Sequence, residues 1–243
     1  MIEIPDLGAG FLDMWRELLF LTEHAPAPWT LIGAHMVALH GWRAGREQPR
    51  ASRDADILVN VRAAVAGTQK MSEVLTSRGF ILDGVSPEGI GHRFVRGSIR
   101  FDVLGPDSAG SRTSFKTIAG AQTVAVPGGS QALRRTELMG IRAGTSYGSI
   151  PVPTLLGAIL VKARAISVDD QPQAQRTDLA FLLSLVAEPD LLLSEMSGAE
   201  SGWLRRHPEM ADPGHGAYAG ILNPADAATV FRRLSAAGAR PDR

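Results

Sequence analysis

Cysteine is missing from this chain of 243 residues, which excludes disulfide frameworks, thiolate zinc sites and cysteine nucleophiles. Net charge is missing too. The 25 acidic side chains balance the 25 basic ones, so a polyanionic partner has to be met by a local patch rather than by the field of the whole molecule. No apolar run approaches the roughly 20 residues that span a bilayer, and the opening Met1-Ile2-Glu3 is acidic where a secretory leader is basic. We therefore expect a soluble, cytoplasmic protein with no membrane partner. Lysine is nearly missing: only Lys70, Lys116 and Lys162 stand among the 25 basic residues, the others being arginine. The chain also lacks a Walker loop and a dinucleotide Gly-x-Gly-x-x-Gly fingerprint.

What remains is enough apolar chain, 44% of residues, to bury a sizeable core. Phe11, Trp15, Leu18 and Leu19 recur at helical spacing over residues 10–24, ahead of the breaks at Pro26 and Pro28. A short strand over 29–32 is predicted next, then Gly33, a short helix to His40, and an arginine-rich loop over 41–53. Residues 54–61 alternate, with Ala55, Ile57, Val59 and Val61 on one face. A helix over 63–78 and strands at 80–82, 93–95 and 99–104 follow, the last two joined by a turn at Gly97-Ser98. After a Ser/Thr/Gly-rich connection over 107–120, short strands are predicted at 123–126 and 138–142. Pro151 and Pro153 are read as ending extended structure. Thr154 caps a helix to Ile166; a second covers 175–187, and Asn223-Pro224 opens a last one. The order predicts an α+β mixed sheet with flanking helices over 1–150 and a mainly helical segment over 151–243.

The sharpest local pattern is Ser52-x-Asp54-x-Asp56 at the start of the alternating strand, where period two puts both carboxylates on one face, about 7 Å apart. Paired carboxylates of this kind suit hard cations such as Mg²⁺ or Mn²⁺; the alternative is a solvated strand end. In Ile99-Arg100-Phe101-Asp102-Val103 the apolar residues face one way, so Asp102 projects with Arg100 from the other. Were that strand beside the first, three acids would meet, an arrangement costly without cations. Upstream, Ile32-Gly33-Ala34 is a strand-to-helix turn whose small residues and free N–H groups suit a phosphate. Lys162 falls on the otherwise apolar face of Leu155, Ile159 and Ile166, as a phosphate contact or as a snorkelling side chain. Arg176-x-Asp178 opens the next predicted helix, where a first-turn carboxylate also suits the helix dipole. His35 and His40 are read as packing or surface residues, and His92 as a lone histidine near the strands.

Gly33-Ala34, Ser52-x-Asp54-x-Asp56 and Asp102 together resemble the nucleotidyltransferase superfamily of the DNA polymerase β type. Ala34 stands where its pattern has Gly or Ser, and the segment before Asp54 is longer than usual. A lysine helix followed by Arg-x-Asp-Leu is similar to the AbiEii-type nucleotidyltransferase toxins, including those of the MenT type, over residues 29–186. The resemblance implies a polymerase-β-like catalytic domain followed by a helical one, with an NTP held between them and Mg²⁺ or Mn²⁺ as cofactor. It implies Asp54, Asp56 and Asp102 as metal-binding and, with Lys162, catalytic residues. It assigns Gly33, Ala34, Ser52, Lys162, Arg176 and Asp178 to the nucleotide. It further implies transfer of a nucleoside monophosphate to an acceptor such as the tRNA 3′ end, and a toxin–antitoxin pair with a cognate antitoxin protein. The rival readings are nucleotidylation of a protein or small molecule, and a non-catalytic binding module on the same fold. An RNA acceptor would need a local positive funnel, for which Arg43, Arg46, Arg50 and Arg53, with Arg134, Arg135 and Arg142, are the candidates.

Overall fold

The computed structural model describes residues 1–48, 52, 54–107 and 115–237. Arg50, Arg53 and part of the connection over 107–120 therefore lie outside the described residues. The first strand, β1 (Ile2–Glu3), leads to α1 (Phe11–His24), whose buried stripe of Met14, Trp15, Leu18 and Leu21 follows the helical period. Then come β2 (Trp29–Ile32), α2 (Gly33–Arg43), β3 (Asp54–Val59), α3 (Gly67–Ser77), β4 (Ile81–Leu82), β5 (Arg93–Arg96) and β6 (Ile99–Pro106). These are followed by β7 (Ala125–Val126), α4 (Gly129–Arg134), β8 (Thr136–Ala143) and β9 (Ser146–Pro153). The rest is helical: α5 (Leu155–Ala165), α6 (Pro172–Leu183), α7 (Pro189–Glu195), α8 (Gly198–Arg205) and α9 (Pro224–Ala236). Among the described residues no helix is long and apolar enough to cross a membrane.

The larger sheet runs β2-β3-β6-β5-β4, with β7 added beside β6. It is mixed: β3 and β6 are parallel, while β2, β5 and β4 pair antiparallel to their neighbours. The chain is thus an α+β protein with a mixed sheet flanked by helices. The smaller sheet, β1-β8-β9, pairs the amino-terminal strand in parallel with β8. Buried side chains form one cluster running from Ile2 through Phe101 and Leu179 to Leu234, so sheet and helices share their packing. Each fully buried Leu, Ile or Phe in it contributes about 1.5–3 kcal/mol.

Several expectations hold and several are corrected. The Gly97-Ser98 turn joins β5 to β6, with Gly97 at φ +59, and Thr154 caps α5 by accepting the Gly157 N–H at 3.3 Å. Pro151 and Pro153, by contrast, lie inside β9 rather than ending extended structure. They are tolerated because β9 is an edge strand of the three-stranded sheet, where a missing N–H on the outer side breaks no ladder. The second carboxy-terminal helix starts at Pro172, not near 175, since proline is preorganised for a first turn. Asn223 adopts φ +56 and makes no side-chain cap, leaving Pro224 to start α9. The unforeseen α8 opens with a capping box, Ser197 and Glu200 each bonding the other's backbone N–H.

Candidate functional site: a carboxylate face and a buried ion pair

Alternation along β3 sends Ala55, Ile57 and Val59 into the core and leaves Asp54 and Asp56 on the opposite face. The same rule buries Ile99, Phe101 and Val103 of β6 and turns Arg100 and Asp102 outward. The parallel register sets Asp54 opposite Arg100 and Asp56 opposite Asp102, so the three acids share one face of neighbouring strands. Ile32, the last residue of β2, pairs with Asp56 from the other side. Gly33 follows at φ +71, and a Cβ there would lie 1.8 Å from the Asp56 Oδ2. Only glycine permits this close approach, which places the start of α2 directly over the carboxylate. Ala34 is buried behind it. Ser52 is occupied locally: its hydroxyl accepts the Asp54 N–H at 3.4 Å and donates to the Asp54 carbonyl at 3.3 Å.

The residue that sequence reasoning misses is Arg93. β5 pairs it with Asp102, and it makes a bidentate fork, Nε to Oδ1 and Nη2 to Oδ2, both at 3.0 Å. The same Nη2 lies 3.1 Å from the Asp54 Oδ2. Arg100 Nη1 stands 3.7 Å from the Asp54 Oδ1, and His92 Nε2 stands 3.8 Å from the Asp102 Oδ2. Hydrogen bonds to Asp102 raise the Arg93 guanidinium above the usual arginine range, against partial burial. The sequence does carry a signal for it, since Phe94 must face the core and Arg93 therefore shares the face of Asp102. Beside Arg100 and Ser52 a cleft of about 420 Å³ opens, lined also by Leu7, Phe11, Met14 and Ser98.

Oxygen donors on this face suit Mg²⁺ or Mn²⁺. Asp54 Oδ1 is buried and accepts no hydrogen bond, and faces the Arg100 guanidinium only at ion-pair distance. Among the described residues no three His, Asp or Glu side chains already converge at ligand distance. Arg93 lies between two of the three acids instead.

A second charged group is built between α5 and α6. Lys162 is 3% exposed, so it does not snorkel; its Nζ meets the Asp178 Oδ2 at 2.7 Å and donates to the Gln175 Oε1 at 2.9 Å. Gln175 in turn donates to Asp169. Because α6 starts at Pro172, Asp178 lies beyond its first turn, and the dipole account of this acid does not apply. Arg176, two residues earlier and so about 200° around the helix, faces the other way and binds Glu209 at 2.8 Å. The structure thus unites Lys162 with Asp178 and does not bring Arg176 to them. α2, which begins at Gly33, packs on both α5 and α6 and so spans the two charged groups.

The expected arginine funnel is largely spoken for within the chain. Arg43 pairs with Glu137 at 2.8 Å, Arg46 donates to the Ser184 carbonyl at 3.0 Å and lies over Phe181, and Arg135 binds Glu200 at 2.8 Å. Arg142 stands 3.3 Å from Glu3. Among the histidines, His35 packs against the Phe11 and Trp15 rings, and His40 donates from Nε2 to the Pro153 carbonyl at 2.9 Å. Burial of His40 pulls its pKa down to about 4, so that nitrogen carries the proton of a neutral ring. No protein-family model matches the chain, and no curated protein matches it.

Proposed function

We propose that this chain is a divalent-cation-dependent nucleotidyltransferase that moves a nucleoside monophosphate from an NTP to an acceptor hydroxyl. The observation that carries the reading is the register: Asp56 faces Asp102 on parallel neighbours, Asp54 follows one pleat away, and Gly33 closes on Asp56 at the start of α2. In this reaction the acceptor oxygen forms a bond to the α-phosphorus, the bond from that phosphorus to the bridging oxygen breaks, and pyrophosphate leaves.

Asp54 and Asp56 are the residues that would hold Mg²⁺ or Mn²⁺, which when bound neutralises phosphate charge. Ser52 steadies the Asp54 backbone, and the glycine turn leaves room for phosphate beside the first N–H groups of α2. Asp102 would complete the acidic set for that ion; in the structure Arg93 grips both its oxygens. Lys162, held by Asp178, is the cation this reading assigns to the nucleotide. Arg176 is bound to Glu209, apart from the Lys162–Asp178 pair. In the same reading the acceptor is the 3′ end of tRNA, the protein acts in the cytoplasm, and its activity is held in check by an antitoxin.

Incubation of the protein with each α-labelled NTP, Mg²⁺ and total cellular RNA tests this. Label should enter RNA of tRNA size with one or more NTPs, and Asp56→Ala or chelation should abolish it. Zero net charge favours a second class of acceptor, a protein hydroxyl or small molecule. Metal-dependent label on protein or small molecules with none on RNA would select it, and no transfer to any acceptor would overturn the enzymatic reading.

A further inference from the structure

Asp54, Asp56 and Asp102 sit on adjacent strands, where like charges repel. Among the described residues, Arg93 and Arg100 bring positive charge to Asp54 and Asp102, with His92 at the edge. Arg93 differs from Arg100 in one respect. A single nitrogen, Nη2, lies 3.0 Å from one Asp102 oxygen and 3.1 Å from one Asp54 oxygen, bridging acids that belong to two different strands. A bridging position between carboxylates on neighbouring strands is where a shared cation sits. Arg93 is also 37% exposed, whereas the Asp102 it grips is nearly buried. The guanidinium therefore lies at the rim and can leave for solvent without crossing the core, while the carboxylates stay anchored by their strands.

We propose that Arg93 is the resident cation of this face: it occupies the place between Asp54 and Asp102, must be displaced before a divalent ion can use both carboxylates, and so sets the affinity of the site for divalent cations. The proposal rests on the nucleotidyltransferase reading only in placing Mg²⁺ or Mn²⁺ at these acids. Two consequences follow. Without nucleotide the protein binds divalent ions weakly, since each ion competes with a tethered charge that never diffuses away. With nucleotide, the displaced guanidinium gains a phosphate to bind, because its planar fork suits phosphate as well as carboxylate. Metal and nucleotide then favour each other's binding, reciprocally.

The test uses the full chain and Mn²⁺ alone, with free Mn²⁺ counted by its electron paramagnetic resonance. Arg93→Gln removes the charge a few Å from the ion, so its Mn²⁺ dissociation constant should fall by about tenfold or more. Arg93→Lys keeps a charge but loses the fork, and should fall between the two proteins. Unchanged or weaker Mn²⁺ binding in Arg93→Gln overturns the proposal. Should that variant fail to fold, the parent protein supplies the second measurement: its Arg93 Nε–H resonance, identified by its loss in Arg93→Lys, should move as Mg²⁺ is added. A resonance that stays in place at saturating Mg²⁺ overturns the proposal as well. The two levels of failure are separable. Divalent binding that ignores Arg93 removes this inference and leaves the metal-dependent reaction standing, whereas absence of divalent binding in all these proteins removes both.

Discussion

Asp54 and Asp102 share a partly exposed arginine at the rim of a sheet, whereas Lys162 and Asp178 hold each other at 2.7 Å in a dry seam between two helices. The chemistry of the pairs is the same, cation on carboxylate, but the surroundings set different costs. At the rim, water reaches the 37% exposed Arg93, which therefore has somewhere to go although the Asp102 it grips is buried. In the seam, Asp178 is 0% exposed, and removing either charge alone leaves the other buried without its counter-ion. The rim is therefore built to exchange partners, and the seam to keep them. α2 connects the two, beginning at Gly33 over Asp56 and packing on both α5 and α6.

The sharpest way to break this comparison is Lys162→Ala. Stranding a buried carboxylate should cost about 3–5 kcal/mol in urea unfolding. Replacing both partners, Lys162→Met with Asp178→Leu, should cost far less, because no lone charge remains. A single mutant within 1 kcal/mol of the parent protein, roughly the value of an exposed pair, would erase the distinction between seam and rim.

His40, near the far end of α2, tests the connecting element. Its folded pKa of about 4 lies below the unfolded 6.5, so between these values the unfolded chain binds more protons. Stability should be complete above about pH 6.5 and decline as pH falls toward 4, by on the order of 2–3 kcal/mol in total. Unfolding curves across that window should show this limb, and His40→Gln should flatten it.

Gly33→Ala forces a Cβ to within 1.8 Å of the Asp56 carboxylate at a φ of +71. The expected cost is about 1–3 kcal/mol, together with loss of nucleotide transfer as Asp56 is pushed aside. Retained transfer would show that the approach of α2 to Asp56 is not needed for chemistry.

The smallest effect on stability belongs to Asp56→Ala. A half-buried carboxylate on the polar side of its strand contributes little apolar packing, so unfolding should change by less than about 1 kcal/mol, while metal-dependent transfer disappears. A large loss of stability would mean that the rim, like the seam, is structural first.

Much of the rim is legible in the sequence. Period two in residues 54–61 and 99–104 assigns Asp54, Asp56 and Asp102 to the polar sides of their strands, because side-chain direction in a strand is a local property. The Thr154 cap and the Gly97-Ser98 turn are readable for the same reason, each acting within a few residues. Arg93 is harder to read. Its alternation with Phe94 is visible, but its role depends on reaching past Asp102 to an acid on a strand from a distant part of the chain. The seam is half legible: Lys162 stands out by rarity, but its burial and its partner do not.

The division has a physical cause. Sequence periodicity specifies which way a side chain points relative to its own backbone, and that alone settles the faces of β3 and β6 and the stripe of α1. It carries no information about which strand becomes whose neighbour or at what offset. The pairing of Asp56 with Asp102, the reach of Arg93 across β6 to Asp54, the edge position that lets Pro151 and Pro153 stay in β9, and the meeting of Lys162 with Asp178 all depend on distances between elements remote in the chain. Those distances are set by how the shared core packs, since one buried cluster joins the sheet to the helices and leaves each charged group only the partners that packing brings within reach.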